Sequence, residues 1–246
     1  MTQFSCQNKT CEFFDKKVSF EYAKQCDFQC VKCKLEQYED SNDSLLSKEE
    51  EILIENLPYV IAYPLKRTLL ETHAWTKINL LKDTFLNYLK YLGLLTSSEF
   101  FNSDFKDRSM VLLFKNTLTE PSFGTWNKYI VETLDFLEKN NHLFFCPELR
   151  DYFEYVQTGK KRKLYRGEIE YVDADGNQQY SKKELSGIDM LINFRNVYLG
   201  HGITLDDVDS RIAWDAYSPI FLELLTSMSF SKDYPMYKHE HGETFC

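Results

Sequence analysis

Five of the seven cysteines in this 246-residue chain fall within its first 33 residues, and this clustering constrains the fold more than any other feature. The start of the chain shows no basic-then-apolar export signal, and no run of about 18 apolar residues occurs anywhere. We therefore expect a cytoplasmic protein that does not enter a membrane. Because thiols stay reduced in that compartment, metal ligation is favoured over disulfide formation.

The spacing of the cysteines indicates a tetrahedral zinc site with four thiolate ligands. The predicted ligands are Cys6, Cys11, Cys30 and Cys33. Cys30 and Cys33 have the two-residue gap of a zinc knuckle, whereas Cys26 is left over and could replace Cys30 as a ligand. Four sulfur ligands leave no open position for water or substrate, so the zinc would be structural. A ribbon this small has too little apolar surface to fold alone, and the metal would supply most of its folding free energy.

The remainder of the chain has the composition of a globular, mainly helical domain. Hydrophobic residues make up 43% of the chain, and there are only 9 Gly and 6 Pro. The acidic, polar segment 36–51 is predicted to be a solvated linker or the entry to a helix, with the domain boundary near Asp43. The predicted domains are a zinc ribbon over 1–40, a helical domain over 41–235, and a tail or the start of a further segment over 236–246.

Hydrophobic periodicity and capping signals place the predicted helices. One predicted helix starts at Ser47, where Glu50 completes a capping-box pattern, and a second starts at Pro64. The other predicted helices span Phe100 to Leu118, Trp126 to Glu138, Glu184 to Leu199 and Trp214 to Leu225. The helix predicted from Phe100 to Leu118 is expected to bury Phe101, Phe105, Leu112 and Phe114. We expect Cys146 to be a core residue, and His73, His142, His239 and His241 to lie at the surface.

A change from helical to alternating periodicity between Lys160 and Glu184 predicts a β-hairpin, over about 162–182, inserted in the helical domain. Its turn also resembles an EF-hand calcium loop, but Gln178 stands where that loop needs glycine. The basic residues Lys160, Lys161, Arg162 and Lys163 form a cluster at the start of this hairpin. They are either a solvated hairpin base or phosphate contacts for a nucleic-acid strand.

Polar residues at the end of the predicted helix Glu184 to Leu199 are the candidates for chemistry. Arg195, Asn196 and His201 have no obvious place in a core. Gly200 can stop the helix in the left-handed conformation and let His201 fold back toward Arg195. The alternative interpretation is that Arg195 and His201 stabilise the carbonyls at a helix C-terminus.

Arg195-Asn196-x4-His201, late in an all-helical body and followed by Gly202 and a final amphipathic helix, resembles the Arg-x(4–6)-His signature of HEPN domains. The resemblance covers roughly residues 48–230 and excludes the zinc ribbon and the hairpin. It implies a HEPN-like helical bundle that cleaves RNA without a catalytic metal, with two copies of the motif around one cleft of a homodimer. His201 would transfer protons, Arg195 would hold the phosphate, and Asn196 would either orient a neighbouring residue or donate a hydrogen bond to the phosphate. Tyr198 would be a further phosphate or base contact, although packing also explains it.

The expected function is therefore a metal-independent endoribonuclease, in the setting of a bacterial toxin or an antiphage defence effector. Such a protein would have RNA as its substrate, and an antitoxin or defence-system protein as a further partner. The alternative is a non-catalytic helical dimerisation or sensor module whose zinc ribbon binds nucleic acid or a protein. With 29 Lys and Arg against 38 Asp and Glu, the net charge of −9 makes a duplex-binding transcription factor a weaker hypothesis and requires any nucleic-acid contact to be local.

Overall fold

The structure, a computed structural model, describes residues 3–6, 11, 18–19, 37–39, 46–172, 178–196, 205–234, 238–240 and 243–245. It describes the backbone alone over 3–6, 18–19, 37–39, 168–172, 178–180, 238–240 and 243–245. The chain divides into two compact units, Met1–Ser47 and Lys48–Cys246.

The N-terminal unit contains a small antiparallel sheet. Its strands are β1 (Gln3–Cys6), β2 (Val18–Ser19) and β3 (Gln37–Glu39), in the order β2-β1-β3. In β1, Phe4 is opposite Val18 on one side and Glu39 on the other. The prediction that 36–51 is a solvated linker is therefore wrong over Gln37–Glu39, because the backbone there pairs with β1.

The second unit is mainly helical, as the periodicity predicts. Its described helices are α1 (Lys48–Glu55), α2 (Tyr59–Leu70), α3 (Ala74–Asn102), α4 (Arg108–Thr119), α5 (Phe123–Lys139), α6 (Pro147–Phe153), α7 (Gly187–Phe194) and α8 (Asp207–Ser227). A π-helical turn, Glu154–Thr158, extends α6, and a 3-10 helix, Ser229–Asp233, follows α8. No helix among the described residues has the length and hydropathy needed to cross a bilayer.

The described part of this unit also contains two hairpins. The predicted hairpin is confirmed as β4 (Tyr165–Val172) and β5 (Gln178–Leu185), with Tyr165 opposite Leu185. β5 extends through Leu185, so the following helix begins at Gly187 and not at Glu184. Ser186 caps that helix, because its hydroxyl accepts a 3.1 Å hydrogen bond from the Asp189 N–H. The second hairpin, β6 (Lys238–Glu240) and β7 (Glu243–Phe245), lies in the predicted tail.

Other helix boundaries also differ from the sequence prediction. α2 begins at Tyr59, and Pro64 lies inside it. The helix predicted from Phe100 to Leu118 is divided between α3 and α4, because the Asp107 carboxylate accepts from the N–H groups of Ser109 and Met110 and starts a new helix there. Of its predicted buried residues, Phe105 and Phe114 are partly buried, but Phe101 and Leu112 are 48% and 46% exposed. α4 packs chiefly against α5, which leaves its outer face in solvent.

The long helix α3 lies at the centre of the unit and packs against α2, α5 and α8. Its Phe85 ring makes edge contacts with Phe123 of α5, at 5.2 Å between centroids, and with Phe221 of α8, at 5.6 Å. Gly93 of α3 lets the buried Trp126 ring of α5 approach the α3 backbone, since a Cβ at this position would lie 2.3 Å from that ring. These contacts fix the positions of α3, α5 and α8 relative to one another.

A chain of hydroxyl groups also connects α3, α6 and α8 inside the core. The Tyr88 and Tyr152 hydroxyls are 2.5 Å apart, and the Tyr152 hydroxyl donates to the Leu224 carbonyl at 3.1 Å. Both side chains are buried, and burial raises the pKa of each phenol. They remain neutral, so Tyr88 donates to Tyr152 and Tyr152 donates to the carbonyl.

Candidate functional site

Arg195 lies at the C-terminal end of α7, which is held between α5 and α8. Its backbone is still right-handed helical (φ −58°, ψ −43°), so the helical path continues past Phe194. The ring of Phe194 stacks on Tyr217 of α8, with 4.2 Å between centroids. This buried stack fixes the end of the helix and determines where the Arg195 side chain emerges.

Two described residues, Asn196 and Phe123, contact the Arg195 guanidinium. Its Nη1 donates to Oδ1 of Asn196 at 3.1 Å, and its Cζ lies 6.0 Å from the centroid of the Phe123 ring at the start of α5. Arg195 is half-buried and Asn196 is exposed. Among the described residues, no carboxylate lies within 4.0 Å of this guanidinium. A cation that no described acid neutralises, held against an aromatic face, is suited to binding an anion.

The other half of the predicted motif, His201, lies in 197–204, outside the described residues, as do Tyr198 and Gly200. The structure therefore brings Arg195 and Asn196 together at the end of α7. The proposed approach of His201 to Arg195 stays a prediction.

The predicted zinc ligands Cys30 and Cys33, together with Cys26, also lie outside the described residues. Cys6 ends strand β1, and Cys11 is partly buried. Within the described side chains no group of three or more His, Cys, Asp and Glu could hold a metal, and Cys11 is the single predicted ligand among them. The zinc site thus stays a prediction based on cysteine spacing.

The segment that resembles an EF-hand loop does not adopt the EF-hand structure over its described residues, 178–184. Asp173, Asp175 and Asn177 lie outside the described residues. Gln178 and Glu184 both belong to strand β5, whereas the last ligand of an EF-hand loop enters a helix.

The basic residues before the hairpin have different environments. Arg162 donates from Nη1 to the Gly159 carbonyl at 2.9 Å. The Lys163 Nζ lies 2.5 Å from the Glu223 carboxylate of α8 and 5.2 Å from the centroid of the Tyr165 ring. The hydrogen bond to Glu223 raises the pKa of Lys163. Lys161 is exposed. The charge of Lys163 is thus already matched by a carboxylate.

Lys160 and Lys161 line a groove of about 680 Å³ between α5, α6 and the turn that follows α6. Four acidic residues line the same groove: Asp135, Glu138, Asp151 and Glu154. Glu138 is paired with Arg150. The other three carboxylates would repel a phosphate group, so this groove is a poorer nucleic-acid site than the basic sequence alone indicates.

Sequence reasoning missed a buried polar cluster at the C-terminal part of α3. The Glu99 side chain is fully buried and accepts from the His142 Nε2 at 3.0 Å, the Phe145 N–H at 3.2 Å and the Cys146 N–H at 2.7 Å. The expectation that His142 lies at the surface is wrong, because its side chain is only 13% exposed and bonds to Glu99. One signal was available, since Glu99 follows Leu92, Leu95 and Thr96 at the spacing of the buried stripe of α3.

Cys146 is buried, as expected for a core residue. Burial raises the pKa of its thiol to about 11, so the thiol is neutral at physiological pH. This cluster joins the segment between α5 and α6 to α3, since Glu99 bonds to His142 and to the N–H groups of Phe145 and Cys146. Its role is structural.

Comparison of the chain with protein-family models, with curated proteins and with solved structures finds no match. The geometry and the motif at the end of α7 are therefore the basis for assigning a function.

Proposed function

We propose that this chain is a HEPN-type endoribonuclease that cleaves RNA without a catalytic metal, using Arg195, Asn196 and His201. The observation that carries the proposal is the Arg195 guanidinium. It lies at the end of a helix in a mainly helical unit, over the Phe123 ring, and no described carboxylate neutralises it. In a chain with a net charge of −9, a local cation of this kind is suited to a single phosphate.

The proposed reaction is attack of a ribose 2′-hydroxyl on the adjacent phosphorus. The hydroxyl loses its proton as the new oxygen–phosphorus bond forms, the bond to the 5′ oxygen breaks, and the leaving oxygen gains a proton. The products are a 2′,3′-cyclic phosphate and a 5′-hydroxyl end. A histidine that titrates near neutral pH suits either proton transfer, which is the role proposed for His201.

Arg195 would contribute by electrostatics and orientation. Its planar donor fork can engage two oxygens of the phosphate and stabilise the additional negative charge of the transition state. Asn196 already accepts a hydrogen bond from Arg195, which restrains the guanidinium before substrate arrives. In the same proposal two chains form a homodimer that places two motifs around one RNA strand. The biological setting is that of a toxin or antiphage effector with a protein inhibitor or activator.

His201→Ala is expected to lower the RNA cleavage rate by about 10²–10⁴-fold, the usual contribution of a general acid or base. Arg195→Lys retains the charge but loses the fork, and is expected to lower the rate by about 10²-fold. The measurement is single-turnover cleavage of a labelled cellular RNA pool in buffer without added divalent metal ions, with identification of the cyclic phosphate ends.

The matched control is Arg211→Ala, which removes an exposed arginine that pairs with Asp207 on α8 at 2.9 Å. Its cleavage rate should stay within about twofold of that of the parent chain. Equal cleavage by the parent and by a folded His201→Ala variant would overturn the nuclease proposal. It would favour the non-catalytic dimerisation or sensor module.

A further inference from the structure

The outer face of helix α2 combines aromatic and cationic side chains in a way that the nuclease motif does not explain. With a rotation of about 100° per residue, Tyr59, Tyr63, Lys66 and Arg67 fall within an arc of about 100°. All four are exposed. The opposite face of the helix packs on α3 through its buried residues, namely Ile61, Leu65, Thr68 and Leu69.

The two tyrosines present large rings to solvent. Tyr59 is 69% exposed and Tyr63 is 52% exposed. Their ring centroids are 5.6 Å apart, with 26° between the ring planes. Neighbouring aromatic rings held nearly parallel on a rigid helix form a platform on which bases can stack, and such stacking requires bases that are not paired in a duplex.

The charge of this face is positive in an otherwise acidic chain. α2 contains Lys66 and Arg67 and no acidic residue. In the part of the chain that the structure describes, neither cation has a carboxylate within 4.0 Å. The acid that follows the helix, Glu71, directs its Oε1 to the N–H groups of Thr72 and His73, both at 2.9 Å. The two cations are therefore available to phosphate groups one helical turn from the rings.

We infer that this face, the α2 surface formed by Tyr59, Tyr63, Lys66 and Arg67, binds single-stranded RNA. Bases stack on the two tyrosine rings, and Lys66 and Arg67 contact the phosphates. The choice of RNA over DNA rests on the proposed function, whereas the surface itself uses none of the residues of the cleavage motif. It would hold the strand outside the cleavage site and so contribute to affinity and to the choice of unpaired RNA.

The test uses the full chain carrying His201→Ala, so that cleavage does not disturb the binding measurement. Fluorescence anisotropy with a labelled oligouridine gives the Kd at two or more salt concentrations. Tyr59→Ala and Tyr63→Ala are each expected to weaken binding by about tenfold, because each removes one stacking ring. Lys66→Gln together with Arg67→Gln should lower the slope of log Kd against log salt by about 1.4, since each phosphate contact to a single strand contributes about 0.7.

Matched controls are available on other helices. Tyr155→Ala removes a tyrosine that is also 52% exposed, and Arg108→Gln with Lys115→Gln removes an exposed arginine and lysine from α4. Neither control should change the Kd by more than about twofold. Circular dichroism of every variant establishes that the helices are intact.

Three results would overturn the inference: no binding of oligouridine by the His201→Ala chain, equal losses in the α2 variants and their controls, or a change of sedimentation from dimer to monomer on Tyr59→Ala. The last result would identify the face as an interface with a second copy. Failure here is distinguishable from failure of the proposed function. If cleavage depends on His201 but the α2 variants bind RNA normally, the proposed function holds and this inference fails. If RNA binds through α2 but no cleavage occurs, this inference holds and the proposed function fails.

Discussion

At the scale of single residues, the most consequential side chain outside the proposed cleavage motif is Glu99. A carboxylate without solvent exposure is costly to bury, and here three donors offset that cost. Glu99→Ala would leave the N–H groups of Phe145 and Cys146 without their acceptor and His142 without its carboxylate. We expect the free energy of unfolding to fall by about 3–5 kcal/mol, measured by urea titration.

The control for this prediction is Glu120→Ala, which removes an exposed glutamate beyond the end of α4. Its free energy of unfolding should change by less than about 0.5 kcal/mol. Identical urea midpoints for the two variants would show that the Glu99 cluster contributes nothing to stability.

Glu99 and His142 also show which residue-scale features a sequence can reveal. Glu99 could be located in the core stripe from its spacing, because a helix repeats its buried positions every three or four residues. The partner could not be located, because His142 lies 43 residues away and reaches Glu99 only through the packing of α5 and α6 on α3. Pairings that depend on tertiary packing leave no local signal.

At the scale of helices, the contact of α3 with α5 depends on Gly93. In Gly93→Ala the new methyl would lie 2.3 Å from Cε3 of Trp126, whose ring is only 3% exposed and has little room to move. We expect a loss of about 1–3 kcal/mol in the free energy of unfolding, the usual cost of overpacking. Thermal and urea denaturation followed by far-UV circular dichroism measure it.

Gly124→Ala provides the comparison, since a Cβ there meets nothing closer than the Ser122 Oγ at 4.0 Å. Alanine in the first turn of α5 should stabilise the chain by about 0.4–1 kcal/mol by reducing the entropy of the unfolded state. If both glycine variants change the free energy of unfolding in the same direction, Gly93 is not needed for the close approach of α3 and α5.

The types of helices and strands could be predicted from periodicity, whereas their boundaries could not. The amphipathic pattern identified α5 and α8, because each buries one face against α3, and the alternating pattern identified the hairpin. The pattern ran without interruption through Ser103 to Asp107, where a side-chain cap divides α3 from α4. The ends of a helix depend on a few hydrogen bonds, which periodicity does not reveal. The position of Pro64 inside α2, and not at its start, is a second example.

At the scale of the whole molecule, the division after Ser47 lets the two units be tested separately for metal dependence. We expect the purified chain to contain about one zinc ion, and Cys30→Ser to lose it. Cys26→Ser should retain the metal. Chelation should remove structure from residues 1–47 and leave the helical circular dichroism of the second unit nearly unchanged.

If Cys26→Ser loses the zinc and Cys30→Ser retains it, Cys26 is the ligand in place of Cys30. Absence of zinc from the protein as purified under reducing conditions would remove the ribbon prediction altogether. Plasma emission spectrometry provides the metal count.

The candidate site could be predicted only as far as its chemistry is local in sequence. Arg195 and Asn196 are neighbours, and their spacing from His201 at the end of a predicted helix carries the resemblance to the HEPN signature. The Phe123 ring beneath Arg195 comes from α5, 72 residues earlier, and only the packing of α5 with α7 brings it there. The α2 surface likewise became apparent only when exposure separated its outer tyrosines from the buried side of the same helix.

The linked phenols of Tyr88 and Tyr152 provide the helical unit with an internal reporter. Their hydroxyl protons are sealed from bulk water in a site that α3, α6 and α8 build together. Because both hydroxyls are buried and hydrogen-bonded, we expect their protons to exchange slowly enough with solvent to be visible as downfield proton resonances. A variant whose spectrum retains these resonances has an intact core, so any loss of activity in that variant is not due to unfolding.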